Sequence, residues 1–310
     1  MADVGIVIVT YNSTAVIDAC LNAAVRTNAE IVVIDNASTD NTAAVAARRG
    51  VRVVVNSTNV GFAAAVNQGF SLLDCPYILL MNPDTVLESG LEPLRAACDL
   101  PRAAGASGVL LSDEGKPQVG FMVRRFPTPA VLILETLLLN RLWPGNPLNR
   151  AYRGLNLDYS KRQPVEQPAG AFLMIRRYIW EQLGGFDQDF WPLWFEDVDF
   201  CRRAADRNYC WYFVPDVVAK HTGAHSIVKL ALERRRVYWY GSLLRYSAKH
   251  FSACGARMVC AAVMLGSVLR LMGESALTRS LGPFRAYRKV FRLAVRYFFG
   301  QVTDSRSSVF

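Results

Sequence analysis

The sequence predicts an α/β fold in which a mostly parallel sheet is flanked by helices and followed by a basic, helical C-terminal extension. Short β-branched runs alternate with helical stretches through the first half of the 310 residues. The runs are continuously apolar, as in strands that are buried on both faces. The last third of the chain carries arginine and lysine at helical spacing. We therefore expect two domains, residues 1–226 and 227–310.

The first domain begins as a regular succession of strands and helices. We predict strands at 4–9, 31–34, 51–55 and 77–81, and helices at 13–27, 39–49 and 61–73. Small residues crowd the third helix, which indicates that it packs closely on the sheet. In open α/β sheets, ligands bind outside the carboxyl ends of the strands. The polar residues that follow these strands are therefore candidates for a binding site.

The second half of this domain is less regular. We predict strand and turn at 105–120, a proline-bounded insert at 126–147, a buried strand at 168–175, a helix at 177–183 and a late strand at 209–214. The insert contains an apolar helix, 130–139, followed by Trp143. Two interpretations of the insert stay open: contact with a bilayer, or part of the core of an acceptor site.

Composition places the chain among globular proteins, with 52% hydrophobic and 20% charged residues. The seven cysteines show no zinc-type or redox CxxC spacing, which indicates reduced thiols in a cytosolic setting. The sequence enters its first strand at once, so we expect no signal peptide and a cytoplasmic protein. The longest uncharged apolar run of the tail, 258–269, is too short to span a bilayer.

The positive charge is concentrated in the tail. Residues 227–310 hold 15 lysines and arginines against 3 acidic residues, whereas the first 226 residues hold 20 against 23. Basic positions 285, 288, 289, 292 and 296 recur at helical spacing among aromatic and aliphatic residues. This pattern is typical of a helix that lies on an anionic membrane surface, so we expect peripheral association with the inner face of the membrane. A domain-packing helix with a solvated basic face is the alternative. No nucleic acid partner is expected, because no nucleic-acid-binding motif appears.

Two adjacent carboxylates, Glu196 and Asp197, follow the bulky aromatic residues Trp194 and Phe195. Apolar surroundings raise the cost of a carboxylate charge and can tune its pKa for proton transfer. Acidic residues of this kind serve as general bases. The alternative is a helix N-terminus, where acidic side chains offset the helix dipole.

Polar residues follow three of the predicted strands: Thr10-Tyr11-Asn12, Asp35 and Asn82-Pro83-Asp84. Asp35 suits a hydrogen bond from a ribose hydroxyl or a pyrimidine N–H, or else it caps a turn. Asp84 suits Mg²⁺ or Mn²⁺ bound mainly through substrate phosphates, or else it caps a helix. His221, after the last strand, is a candidate nitrogen ligand for the same ion.

The third helix is preceded by Asn59 and Gly61 and carries Asn67 two turns further on. We expect both asparagines to lie near the cleft. Other enzyme classes find no support: no GxGxxG follows a strand, and no Walker lysine motif, GxSxG elbow or HExxH is present.

Taken in order, these motifs resemble those of the family 2 inverting glycosyltransferases, and among them the rhamnosyltransferase-like branch. The resemblance covers roughly residues 3–245 and rests on a set of matching segments: Val9-Thr10-Tyr11-Asn12, Asp35-Asn36-Ala37-Ser38-Thr39-Asp40, Asn59-Val60-Gly61-Phe62-Ala63, Asn67-Gln68-Gly69, Asn82-Pro83-Asp84, Gly170-Ala171, Gly184-Gly185-Phe186-Asp187, Phe195-Glu196-Asp197-Val198-Asp199 and His221. One position departs from the wider family, whose metal motif is usually Asp-x-Asp; here Asn82 takes the first place, as in the rhamnosyl-like branch.

The resemblance implies a GT-A fold, a nucleotide-sugar donor and a divalent cation, Mg²⁺ or Mn²⁺. Deoxythymidine diphosphate rhamnose is the first choice of donor, and UDP-linked hexoses or galactofuranose stay open. The acceptor is expected to be a glycan or a polyprenyl-diphosphate-linked glycan.

The resemblance also implies a role for each matching residue. Asp197 would be the base, with Glu196 as neighbour or second choice, and Asp84 and His221 would hold the metal. The donor site would comprise Thr10, Tyr11, Asn12, Asp35, Asn59, Gly61, Asn67 and Asn82. The acceptor site would comprise Gly170, Ala171, Trp194 and Phe195. A catalytically silent sugar-nucleotide-binding or scaffold protein of the same fold is the alternative.

Overall fold

The computed structural model describes residues 2–223, 231–278 and 282–301, and the remaining parts of the expected extension 227–310 lie outside the described residues. The chain divides into two compact units. The first unit comprises residues 1–126, 153–188 and 197–226. The second comprises 127–152, 189–196 and 227–310, so the basic tail packs with two segments from earlier in the chain.

The first unit is built on a nine-stranded sheet. Its strands are β1 (Val4–Thr10), β2 (Glu30–Asp35), β3 (Arg52–Val55), β4 (Tyr77–Met81), β5 (Thr85–Leu87), β6 (Ala103–Leu111), β8 (Gln163–Val165), β10 (Phe172–Arg176) and β11 (Cys210–His221). A separate pair is formed by β7 (Val123–Arg124) and β9 (Gln167–Pro168).

The sheet has the order β3-β2-β1-β4-β10-β6-β11-β5, with β8 also paired to β11. Strands β3, β2, β1 and β4 are parallel, as predicted. Strand β10 runs antiparallel to both β4 and β6, so the sheet is mixed in its second half. The carboxyl ends of β1, β2 and β4 thus lie at one edge of the sheet.

Helices cover both faces of this sheet. They are α1 (Ile17–Ala24), α2 (Thr42–Ala47), α3 (Phe62–Ser71), α4 (Glu92–Cys98), α8 (Arg177–Leu183) and α9 (Glu196–Asp206), whose first residue belongs to the second unit. Alternate residues of β1 enter different cores: Ile6 and Ile8 pack with α1 and α4, whereas Val7 and Val9 pack with α3, α8 and α9. This alternation explains why the strands are apolar throughout.

Close packing of α3 explains its small residues. A Cβ on Gly69 would overlap Cγ1 of Val7, so only glycine lets the helix approach β1 at this point. Ala63 and Ala65 are also buried in the same core. The loop before α3 is thereby brought to the carboxyl-end edge of the sheet.

The second unit is helical. Its described helices are α5 (Pro129–Thr136), α6 (Leu139–Leu142), α7 (Pro147–Tyr152), α10 (Leu232–His250), α11 (Ala253–Thr278) and α12 (Gly282–Phe298). Helices α10, α11 and α12 pack on one another, and α5 packs on α11. Among the described helices, the segment Ala253–Glu274 of α11 is long and apolar enough to cross a membrane, and 39% of its apolar window is buried within the protein. Length and composition alone carry this match, and core helices of soluble proteins meet the same criterion.

Candidate active site

The ends of β1 and β2 form a closely hydrogen-bonded cluster. Thr10 and Asp35 are register partners at these ends, and the Thr10 hydroxyl donates to Asp35 Oδ1 at 2.9 Å. Ser38 donates to the same carboxylate from its hydroxyl (2.6 Å) and from its backbone N–H (3.0 Å). Asp35 is buried, so these bonds fix its orientation at the strand end.

Asn12 joins the loop after β1 to the loop after β2. Its N–H donates to Ser38 Oγ at 2.9 Å, and its side-chain oxygen accepts from the Thr39 N–H at 2.8 Å. Asn12 has a φ of 52°, in the left-handed region that asparagine tolerates well. Tyr11 lies next to it and is partly exposed. The two loops therefore present one connected polar surface.

Asn36, which the sequence did not single out, holds the loop before α3. Its Nδ2 donates to Asn59 Oδ1 (3.0 Å) and to the Gly61 carbonyl (3.3 Å), and its Oδ1 accepts from the Val60 N–H (3.0 Å). Asn59 and Gly61 are thus brought beside the end of β2. The side chain of Asn59 takes part in holding its own loop.

Asn67 binds a distant turn. Its Nδ2 donates to the Phe186 carbonyl and its Oδ1 accepts from the Phe186 N–H, both at 2.9 Å. A Cβ on Gly185 would lie 2.7 Å from Asn67 Oδ1, so the neighbouring glycine is required by this contact. The structure therefore uses both polar groups of Asn67 to fasten the turn at 184–186 to α3.

Asp84 and His221 lie close together beyond the carboxyl end of β4. Pairing of β5 with β11 aligns Thr85 with His221, and the Thr222 N–H donates to the Asp84 carbonyl at 3.1 Å. Asp84 Oδ1 and His221 Nε2 are consequently 3.6 Å apart, and both side chains are buried. The sequence separation of these two residues does not by itself predict this proximity, whereas the family resemblance implied that they share one site.

Gln118 determines which nitrogen of His221 carries the proton. Its Nε2 donates to the His221 carbonyl at 2.6 Å, which leaves Oε1 facing His221 Nδ1 at 3.0 Å. That oxygen can only accept, so Nδ1 bears the hydrogen. Burial lowers the pKa of His221, which keeps the imidazole neutral. The Nε2 lone pair therefore faces a carboxylate oxygen, and the Phe121 ring stacks on the imidazole with centroids 5.1 Å apart.

Two hydrogen-bond acceptors that face each other in a buried position fit a divalent cation between them. The second nitrogen of His221 is held by Gln118, as is usual for a metal-ligating histidine. No group of three or more potential side-chain ligands occurs within the described parts of the chain. The two donors thus suit an ion that takes its remaining ligands from substrate phosphates and water.

Asp197 lies in the first turn of α9. Its Oδ2 accepts from the Gly170 N–H at 2.9 Å and its Oδ1 from the Val198 N–H at 2.8 Å. Burial raises the pKa of Asp197 in spite of these hydrogen bonds. A Cβ on Gly170 would lie 3.0 Å from that of Asp197, so a larger residue there would press on the carboxylate.

The segment Gly170-Ala171 joins Asp197 to the turn that carries Asp84. Gly170 binds Asp197, while the Ala171 carbonyl accepts from the Asn82 N–H at 2.9 Å, at the start of the Asn82-Pro83-Asp84 turn. Two adjacent residues therefore connect both carboxylate-bearing segments. The structure brings Asp84, His221 and Asp197 to the same region of the first unit.

Trp194, Phe195 and Glu196 belong to the second unit. Trp194 is partly exposed, and both aromatic residues have a positive φ, 77° and 70°. Phe195 is buried, and its ring lies 5.4 Å from that of Tyr246 on α10. Glu196 is also buried and is the first residue of α9. Phe195 thus contributes to the packing of the second unit.

The last acid of the Glu-Asp-Val-Asp motif has a separate role. Asp199 is buried and accepts from Arg203 Nε at 2.8 Å. The two terminal nitrogens of Arg203 donate to the carbonyls of Leu183 (2.7 Å) and Gly185 (2.8 Å). The pair therefore also holds the Gly184-Gly185 turn, whose next residue, Phe186, is hydrogen-bonded to Asn67.

Comparisons with known proteins agree with this geometry. The model of "Glycosyl transferase family 2" matches residues 5–184. The N-acetylglucosaminyl-diphospho-decaprenol L-rhamnosyltransferase of Mycobacterium tuberculosis H37Rv is 32% identical over 71% of this chain and 76% of its own length. The rhamnosyltransferase WbbL of Escherichia coli K12 is 27% identical over 53% of this chain and 58% of its own length.

A solved structure supports the fold. The mannosyltransferase PcManGT of Pyrobaculum calidifontis, in complex with GDP-Man and Mn²⁺, matches 97% of this chain and 87% of its own with a TM-score of 0.53 and 17% identity. The fold is that of the GT-A glycosyltransferases, as the resemblance implied. The protein is a glycosyltransferase, and the chain belongs to glycosyl transferase family 2.

Proposed function

We propose that the protein is an inverting glycosyltransferase that moves a sugar onto a glycan or polyprenyl-diphosphate-linked acceptor, in cell-wall or polysaccharide biosynthesis. L-Rhamnose from dTDP-rhamnose is the first choice of donor, with UDP-sugars as the alternative. Similarity to two proteins named as rhamnosyltransferases, one of them acting on a decaprenyl-diphosphate-linked sugar, supports this choice.

A single observation carries the proposal. Gly170 and Ala171 hydrogen-bond to Asp197 and to the Asn82-Pro83-Asp84 turn, respectively. A carboxylate suited to proton transfer and a pair suited to a diphosphate-bound cation thus share one region. Transfer from a nucleotide sugar needs both.

In this proposal Asp84 and His221 would hold Mg²⁺ or Mn²⁺, and the ion would supply positive charge to offset that of the nucleoside diphosphate leaving group. Asp197 accepts the proton from the acceptor hydroxyl as that oxygen attacks the anomeric carbon from the face opposite the leaving group. The raised pKa of Asp197 makes it a better base than an exposed aspartate. A single displacement inverts the configuration without a covalent enzyme intermediate.

The donor is held at the carboxyl-end edge. Thr10, Tyr11, Asn12 and Asp35 would bind the nucleoside, with Asn82 in the same turn as the proposed metal ligand Asp84. Gly61 would let the backbone approach the donor, since its φ of 90° is open only to glycine. Asn59 and Asn67 would act by holding the loop before α3 and the turn at 184–186. Gly170 and Ala171 would shape the acceptor side.

We also propose a cytoplasmic location, peripheral on the inner face of the membrane. Support comes from α12, whose Arg285, Arg288, Arg292 and Arg296 are exposed while Val290 and Ala294 are buried. A helix with one packed face and one basic face suits an anionic lipid surface.

A donor screen tests the proposed reaction. Purified protein is incubated with dTDP-rhamnose, UDP-hexoses or UDP-galactofuranose and a polyprenyl-diphosphate-linked acceptor, and released nucleoside diphosphate is measured with Mn²⁺ or with a chelator. We expect turnover with dTDP-rhamnose that the chelator abolishes. Binding of the donor without turnover under every condition would instead indicate a catalytically silent protein.

A further inference from the structure

One face of α11 is apolar and exposed. Met258, Leu265, Leu269 and Met272 are 49, 54, 46 and 69% exposed. At 100° per residue they lie within an arc of about 60° on the helix surface. Val259 and Val263, on the other side, are buried. The helix therefore uses one face for packing and leaves an apolar face uncovered within the second unit.

A second group of exposed apolar side chains follows α5. The end of α5 is fixed on α11, because Arg270 donates to the carbonyls of Glu135 (3.0 Å) and Thr136 (3.2 Å). A Cβ on Gly266 would overlap the Thr136 carbonyl, so the two helices are in close contact there. Three residues later the chain reaches α6, a distance of at most about 11 Å.

On and after α6, Leu142 and Trp143 are 81 and 65% exposed. They are thus further exposed apolar side chains of the second unit, on the segment that follows the end of α5. We call the set formed by Leu142, Trp143, Met258, Leu265, Leu269 and Met272 the apolar ridge. The four that share one face of α11 form the kind of exposed apolar patch that marks contact with a partner or a membrane.

Charge identifies the partner. Helices α11 and α12 pack together, and their exposed basic residues include Arg257, Arg285, Arg288 and Arg292. Glu274 is the only acidic residue in the sequence of the two helices, and it accepts hydrogen bonds from Arg236 (3.0 Å) and Tyr287 (2.7 Å). Two copies of this surface would bring like charges together, whereas anionic lipid supplies the opposite charge.

We propose that the apolar ridge inserts into the boundary between headgroups and acyl chains of an anionic bilayer, with the exposed arginines at the lipid phosphates. This inference deepens the membrane association of the proposed function and rests on it. The helix lies along the surface, because its opposite face carries Arg270 and Ser267 in internal hydrogen bonds. The insert at 127–152 thus contributes to lipid contact through Leu142 and Trp143, while α5 packs in the interior.

Vesicle flotation of the full chain tests this inference. The vesicles are phosphatidylcholine with or without 30% phosphatidylglycerol. Two double variants remove ridge side chains: Leu142→Gln with Trp143→Ser, and Leu265→Gln with Met272→Gln. We expect each to lower the partition coefficient on anionic vesicles by about tenfold or more. Tyr178→Ser, which removes an equally exposed aromatic from the first unit, is the control and should leave partitioning unchanged.

A second measurement reports insertion directly. Quenching of tryptophan fluorescence by spin-labelled lipid is compared between the wild type and Trp143→Phe. The difference between the two gives the fluorescence of Trp143 alone. Strong quenching of this component supports the ridge. Wild-type partitioning of both double variants, or the absence of Trp143 quenching, overturns it.

Self-association gives a distinct result. If light scattering shows wild-type oligomers that the double variants convert to monomers, with partitioning unchanged, the ridge covers a second copy and the inference is wrong. Donor turnover measured without vesicles separates this test from that of the proposed function. If the protein floated with the vesicles but transferred no sugar, the proposed function would be wrong, whereas the inference about the apolar ridge would still hold.

Discussion

Two corners of the same sheet edge pair their polar groups differently. In the closed corner, formed by Thr10, Asp35 and Ser38, the carboxylate accepts three hydrogen bonds from its own neighbours. In the open corner, formed by Asp84, His221 and Gln118, two acceptors face each other at 3.6 Å. Internal hydrogen bonds therefore fix the orientation of the carboxylate in the first corner, while the second corner suits a cation. The groups that face a carboxylate, more than its being an aspartate, therefore indicate its role.

Asp197→Asn extends this comparison to the carboxylate assigned to proton transfer and should have the largest effect. The amide cannot accept the acceptor's proton, so we expect kcat to fall by about 10²–10⁴ while donor affinity is retained. Nucleoside diphosphate release at saturating donor measures the change. Near-normal kcat would remove Asp197 as the base.

Replacing Arg203 tests a carboxylate that is paired within the protein. Arg203→Leu leaves the buried Asp199 without its cation, and we expect a loss of about 3–5 kcal/mol in the free energy of unfolding by urea. The neighbouring Arg202 forms an exposed pair with Asp206, so Arg202→Leu should cost less than about 1 kcal/mol. Equal losses for the two variants would contradict the distinction.

Gln118→Leu disturbs the open corner without replacing either of the proposed metal ligands. Without an acceptor for Nδ1–H, His221 is free to change tautomer and turn its protonated nitrogen toward Asp84. We expect Mn²⁺ affinity to fall by about 10–100-fold, with kcat little changed at saturating Mn²⁺. Lys116→Leu, at an exposed position two residues away, is the control. A pure loss of kcat would assign Gln118 a different role.

The pH dependence should reflect the burial of Asp197. Burial raises its pKa, so the carboxyl is protonated at pH values where an exposed aspartate is still ionised. Because only the ionised form accepts a proton, kcat/KM should fall as pH is lowered through this raised pKa. A pH–rate profile, with folding checked by circular dichroism at each pH, measures the midpoint. A midpoint at or below that of an exposed aspartate would argue against this assignment.

The local hydrophobic pattern of the sequence was sufficient to predict the strands of the first half of the chain and the polar residues at their ends. Helix α1 spans Ile17–Ala24, within the predicted 13–27, and the residues before it are held by hydrogen bonds from the Ser13 and Thr14 N–H groups to Thr42 and Asp40. Strand β11 extends from Cys210 to His221, well beyond the predicted 209–214, with a register shift between Phe213 and Val218. The Pro215-Asp216 break in the apolar run concealed this continuation.

The missing parts of the site depend on long-range partners. Gln118 meets His221 across 103 residues, and Asn67 meets Phe186 across 119. A single glutamine in a loop, or a single asparagine on a helix, forms no sequence pattern from which such a distant partner could be predicted. The Glu-Asp-Val-Asp motif predicts Asp197 as a candidate base, but only the hydrogen bonds of Arg203 show that Asp199 has a packing role.

The central claim is that the open corner holds the cation that binds the donor diphosphate. Its most direct test is a titration of Mn²⁺ in the presence of dTDP, with free Mn²⁺ measured by electron paramagnetic resonance. We predict tight, dTDP-dependent binding by the wild type and by Asp197→Asn, and at least a tenfold loss of affinity in Asp84→Asn. Binding of Mn²⁺ by Asp84→Asn as tight as that of the wild type would contradict the account.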